Sequence, residues 1–184
     1  MSLKPYDVLN IALFSTLTAI GAYIRIPLPF SPIPITLQTM FTYMAGALLG
    51  SKYGALSQLI YILLGISGLP IFAGGGVGFS ILFGPTGGYL NGFVIGAFII
   101  GKLIEIRKRF SFLWLVCCMI IGTIPIYTLG FIQLMIWMKI NMINALIIGV
   151  LPFIFGDSLK ILIAAYITYR IKRMLPTFPT YMTS

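Results

Sequence analysis

Two residues in this chain stand out chemically. Asp157 and Lys160 lie three positions apart inside "PFIFGDSLKILIAAYITY", Pro152–Tyr169, a stretch that otherwise reads as membrane-buried helix. At that spacing two side chains share one helix face. A charge at the bilayer centre costs about 2.5–3.5 kcal/mol on insertion scales. Pairing makes the two charges tolerable but does not explain their presence, since two leucines would insert more easily. Two readings stand: a structural salt bridge, or a polar site inside a bundle that faces a ligand.

A second candidate is "FGPTGGYLNGF", Phe83–Phe93. Gly87 and Gly88 open a helix whose unpaired N–H groups favour carboxylates and other acceptors. Tyr89 and Asn91 add a phenol and an amide just inside that end. The plainer reading is a helix start that needs pliant backbone. Irregular backbone at membrane depth is tolerated only where it is buried in protein or lines a cavity, which favours a pocket. The third candidate is "IRIPLPFSPIPIT", where Pro27, Pro29, Pro32 and Pro34 exclude regular helix. With Phe30, Ile33 and Ile35 between them, the prolines make a stiff apolar segment suited to cover a pocket. Thr36 and Gln38 follow it as hydrogen-bonding groups. Arg25 at its start is either an anion-attracting group or an ordinary interfacial cation.

What is missing narrows the chemistry. No G-x-x-x-x-G-K-[ST] motif is present, so ATP hydrolysis by the P-loop route is excluded. There is no histidine and no carboxylate pair, which argues against hydrolytic metal sites and two-carboxylate mechanisms. "GGGVG" has no βαβ context and carries no dinucleotide signal. Cys117 and Cys118 are adjacent, cannot readily bridge each other, and read as packing residues.

The elements that must position these groups follow from composition. The chain has 184 residues, 59% hydrophobic and only 8% charged, with a mean hydropathy of +1.06. A soluble domain of this size cannot hide so much apolar surface, so lipid is its natural solvent. We expect an all-α membrane protein formed as one integral membrane domain over 1–184. Six spans are expected, at about 7–24, 37–49, 55–69, 89–106, 113–138 and 145–169. "GSKYG" reads as a tight turn between the second and third, and Pro125 as a kink in the fifth. The first apolar run is longer than a signal-peptide core and more spans follow it, so it reads as a retained helix. The chain after Thr177 reads as a short disordered tail.

The net charge of +9 sits in short clusters between apolar runs, which points to an anionic leaflet rather than to nucleic acid. With six spans, nine of the twelve cations (Lys4, Lys52, Lys102, Arg107, Lys108, Arg109, Arg170, Lys172 and Arg173) fall on the side of the termini. Arg25, Lys139 and Lys160 do not. Both termini are therefore expected to be cytoplasmic. In the first span, Ala12 with Thr16 and Ser15 with Ala19 form small-xxx-small pairs on adjoining faces, which permit close helix–helix approach within the fold or against another subunit. The depth of Asp157 depends on where the last helix starts. If it starts near Asn144 and kinks at Pro152, Asp157 lies near mid-membrane. If Pro152 is its first residue, Asp157 lies nearer the outer surface.

Taken in order, "PFSPIPITLQTM", "GALLGSKYGALSQLIYILLGISGLPIFAGGGVG", "FGPTGGYLNGF" and "FGDSLK" resemble the BioY family, the biotin-specific S-components of energy-coupling-factor (ECF) transporters. The resemblance covers nearly the whole chain. It implies a six-helix bundle in a bacterial cell membrane with a biotin pocket near its outer face. It also implies no cofactor, biotin being the cargo, and no enzymatic activity of the chain itself. Energy would come from two cytoplasmic ATPase subunits through a shared transmembrane scaffold subunit, which would meet the small-residue face of the first helix. Under this resemblance Asp157 accepts from a ureido N–H, while Lys160 donates to the ureido carbonyl, binds the valerate carboxylate, or only neutralises Asp157. Asn91, Tyr89 and Gln38 complete the polar set, and the Pro-rich segment and Phe79 supply apolar walls. A self-sufficient secondary transporter, with Asp157 as a proton-linked carboxylate, is the competing expectation.

Overall fold

The computed structural model describes residues 4–107 and 111–174. The tail expected after Thr177 lies outside them, as do Lys108 and Arg109. Helix α1 (Pro5–Tyr23) opens with proline at its first position, and the Asp7 carboxylate accepts from the Lys4 backbone N–H at 3.1 Å. The Pro-rich stretch is not a simple loop. It forms an antiparallel hairpin, β1 (Arg25–Leu28) with β2 (Ser31–Thr36), pairing Arg25 with Thr36 and Ile26 with Ile35. The irregularity in its register falls between Ile26 and Leu28, at Pro27, which has no N–H to give the ladder.

Helix α2 (Gln38–Ile66) is two helical arms that meet and double back at Gly50, whose φ of 80° and ψ of −178° are not helical. The fold-back is visible in side chains. Gln58 and Thr42 hydrogen-bond at 3.1 Å, and Gln38 and Tyr61 at 2.7 Å. In a straight helix the second pair would stand roughly 34 Å apart at 1.5 Å per residue. The second arm restarts at Ser51, earlier than the expected residue 55, because a distant group caps it. The Glu105 carboxylate accepts from the Ser51 backbone N–H at 2.6 Å and from its hydroxyl at 2.9 Å.

A glycine-rich link then leads to the single-turn helix α3 (Phe79–Phe83) and to α4 (Gly87–Ile106). Helix α5 (Phe112–Met138) runs through Pro125 as one helix and ends at Lys139 in the left-handed conformation. The last expected span is two helices, α6 (Met142–Gly149) and α7 (Leu151–Met174), separated at Val150. Pro152 therefore lies in the first turn of α7, where its missing N–H costs nothing.

Helix α4 is the hub and packs most extensively on α2 and α5, while α1 packs on α2. Tyr43, Tyr61, Ile100, Leu115, Met119 and Ile126 are among the fully buried side chains. Large apolar residues such as Leu63, Ile124, Phe155 and Leu162 point outward instead. Four segments are long and apolar enough to cross a membrane: Gln38–Ile66, Gly87–Ile106, Phe112–Met138 and Met142–Met174. Because Gln38–Ile66 reverses at Gly50, its two arms lie alongside each other instead of forming one long rod.

Candidate functional site

The fold places Asp157 in the second turn of α7 and Lys160 one turn further along, and buries both, at 3% and 7% exposure. They form a salt bridge of 2.7 Å between Lys160 Nζ and Asp157 Oδ1. Two residues from other helices complete the cluster. Thr39 of α2 donates to Asp157 Oδ1 at 2.9 Å and accepts from Lys160 Nζ at 3.3 Å. Tyr127 of α5 donates to Asp157 Oδ2 at 2.7 Å. An ionised carboxylate offers about four acceptor positions and an ammonium three protons. Three acceptor positions of Asp157 and two protons of Lys160 are thus used among the described residues. One acceptor and one donor are left side by side.

Both face a cleft at the hairpin end of the bundle. Ile33 and Pro34 of β2 and Phe72 and Ala73 of the glycine-rich link form its outer wall. Phe93, Ile126 and Phe153 form the inner one. About 650 Å³ of unfilled space lies between the walls, counted out to the mouth. Only a small part of it is wide enough to admit water. The walls therefore stand close together. Apolar walls with a few convergent polar groups are the usual make-up of a small-molecule site.

The expected site residues divide. Tyr89 and Gln38 line the cleft, but their polar groups are engaged. The Tyr89 hydroxyl donates to the Gly149 carbonyl at 2.6 Å, pinning the break between α6 and α7. Gln38 donates to the Tyr61 hydroxyl at 2.7 Å and accepts from Thr36 at 3.0 Å. Tyr61 in turn donates to the Ile71 carbonyl at 3.1 Å, so this chain ties α2 to the glycine-rich link. Gly87 and Gly88 are packed where a Cβ would collide with the Leu82 and Leu129 carbonyl oxygens, which lets α4 meet α3 and α5 closely. Asn91 is exposed and borders a separate depression with Gln133 and Trp137. Phe79 is 62% exposed on α3, and Ile81 reaches the cleft in its place because the single-turn helix turns that side inward. Arg25 sits on the rim, its guanidinium lying against Gly74, where a side chain would strike it.

The four small residues of α1 divide as well. Ser15 is buried and Ala19 half-buried, whereas Ala12 and Thr16 face outward, with the Thr16 hydroxyl donating to the Ala12 carbonyl at 2.9 Å. Thr39 and Tyr127 were not singled out from sequence. The available signal was polarity alone, a hydroxyl set in each of two apolar helices, and neither residue is near Asp157 in the chain.

A multi-pass helical membrane protein with a half-closed cleft at one end, and a buried ion pair in its wall, is the class these features define. The chain belongs to the BioY family, whose model it matches over residues 1–177. It is 41% identical to the biotin transporter BioY of Thermotoga maritima, over 91% of this chain and 96% of that protein. It is 39% identical to a probable biotin transporter BioY of Pyrococcus horikoshii, over 92% and 98%. Among solved structures it is similar to the S-component for biotin from an ECF-type ABC transporter, with a TM-score of 0.86 and 29% identity, over 94% of this chain and 95% of that one.

Proposed function

We propose that the chain is the membrane-embedded biotin-binding subunit of an ECF-type uptake transporter in a bacterial cell membrane. The observation that carries this reading is the unused donor and acceptor of the Lys160–Asp157 pair, side by side in an apolar cleft. A ureido ring presents N–H donors beside a carbonyl acceptor, and its complement is an acceptor beside a donor. The fused rings and aliphatic tail suit the Phe72, Phe93 and Phe153 walls. Analogues lacking the ureido edge would leave buried charges unpaired, which is the physical route to selectivity. With the walls as close as they are, a bicyclic ligand enters only when the hairpin or the glycine-rich link moves outward.

The two arms of α2, together with α1, α4, α5 and the α6–α7 pair, make six passages through the membrane. The cations clustered between the apolar runs support a cytoplasmic side for both termini, and the cleft then lies outside. The chain has no P-loop, so in this reading ATP is hydrolysed on two cytoplasmic partner subunits, coupled through a transmembrane scaffold subunit. The outward-facing Ala12 and Thr16 are the part of the small-residue pattern free to meet that scaffold.

The test is titration of the purified protein in detergent with biotin. Binding in the nanomolar range that Lys160→Ala weakens at least 100-fold is expected. No measurable binding sinks the proposal. Reconstitution of the lone chain separates primary from secondary transport. Uptake without ATPase partners, abolished by a proton uncoupler, would favour a proton-linked Asp157 instead.

A further inference from the structure

Asp157 and Tyr127 do more than line the cleft. Both also line a second depression, of about 650 Å³ out to its open mouth, on the outer surface between α5 and α7. Its other walls include Ile124, Ile154 and Ser158, all exposed. The partition between the cleft and this lateral groove is therefore the Tyr127 ring and the Asp157 carboxylate, joined by the 2.7 Å hydrogen bond. The bond has a second consequence. Thr39 and Lys160 both bind Oδ1, so Tyr127 alone among the described residues fixes Oδ2. The remaining acceptor position of Asp157 is on that oxygen. Without the Tyr127 hydroxyl only the two bonds to Oδ1 hold the carboxylate, so its tilt about the Cβ–Cγ bond is less fixed and Oδ2 is open to the groove as well as to the cleft.

We infer that Tyr127 is a positioning residue for ligand recognition: its hydroxyl aims the free acceptor of Asp157 into the cleft and its ring closes that acceptor off from the membrane side. The inference rests on the proposed biotin site. It adds a residue that meets the ligand through Asp157. A charge-assisted hydrogen bond of this kind is worth about 1.5–3 kcal/mol, which corresponds to roughly 10- to 150-fold in affinity. Preorganisation lost from a carboxylate lies at the lower end of that range.

The test is a double-mutant cycle on biotin affinity, read beside the thermal melting of each variant. Tyr127→Phe keeps the ring and removes only the hydroxyl. It is expected to weaken biotin about 10-fold per folded molecule, and to lower melting by no more than the loss of one charge-assisted hydrogen bond. In an Asp157→Asn background the same change is expected to have almost no further effect, because the carboxylate it aims is gone. A purely structural tyrosine would instead give the same factor in both backgrounds, and that additivity would overturn the inference. So would undiminished binding by Tyr127→Phe. Thr39→Val, which strips Oδ1 of one partner, gives a second cycle should Tyr127→Phe fold poorly. Coupling to Asp157 is expected there too, and additivity would again count against the aimed carboxylate. The parent reading fails separately: it falls if the unaltered protein does not bind biotin at all.

Discussion

Two buried polar clusters in this protein have opposite characters. In the middle of the bundle, Gln58 is fully buried between α1 and the two arms of α2. Its Oε1 accepts from Thr42 at 3.1 Å, and its Nε2 donates to Thr18 and Ser57, each at 3.2 Å. The two threonines are also satisfied by their own helices, through Phe14 O at 2.8 Å and Gln38 O at 3.0 Å. This cluster lines none of the depressions described above and uses both ends of its amide. The Asp157 cluster buries its ion pair, keeps Thr39 and Tyr127 half-buried, and ends with one donor and one acceptor unused at the cleft wall. Burial and polarity are common to both. A recognition site is marked by bonding capacity left over at a cavity wall, and a structural tie by its absence.

Substitutions that treat the clusters differently test this contrast. The largest effect is expected from Asp157→Ala, which strands the Lys160 ammonium. Leaving one member of a buried pair uncompensated costs about 3–5 kcal/mol. Melting should drop sharply and biotin titration should show no binding. Next comes Glu105→Ala, at the far end of the bundle, which uncaps Ser51 and removes charge-assisted bonds worth about 1.5–3 kcal/mol. Thermal melting should register that loss, while biotin affinity per folded molecule stays within about threefold, since 0.6 kcal/mol is less than half of a tenfold step. Gln58→Leu should cost only about 1 kcal/mol, because both threonines keep their helix carbonyls, and it should leave biotin affinity unchanged. If Gln58→Leu weakened biotin as much as Lys160→Ala, the distinction between the clusters would collapse. The smallest effect is expected for Asn91→Ala, within about 0.5 kcal/mol in stability and without change in biotin affinity, as the residue opens away from the cleft.

How far the sequence could be read depended on how local each feature is. Helix positions followed from apolar runs, and "GSKYG" correctly marked a reversal. The early restart at Ser51 was hidden, because its cap is a carboxylate 54 positions away. The hairpin was hidden by prolines, which argue against helix at any position but against a strand only where the ladder needs their N–H. In the site, Asp157 and Lys160 were visible because three residues of helix place them together. Asn91 and Phe79 were drawn in by proximity to a conspicuous motif, yet a helix turns 100° per residue. Tyr89 and Asn91 therefore stand on different faces, one in the cleft and one outside it.

By itself the sequence determined the solvent, the helical segments and the presence of a charged pair on one helix face. These rest on composition, on periodicity and on the i, i+3 relation, all of them properties of neighbouring residues. Only the tertiary structure decided what the pair became. Thr39 and Tyr127 lie 118 and 30 positions from Asp157, and no periodicity connects them. The docking of α2 and α5 against α7 brings their hydroxyls onto one carboxylate, and the hairpin and the glycine-rich link close a wall in front of it. The bonding capacity left over is the difference between what those helices supply and what the ion pair accepts, and it exists only once they have packed.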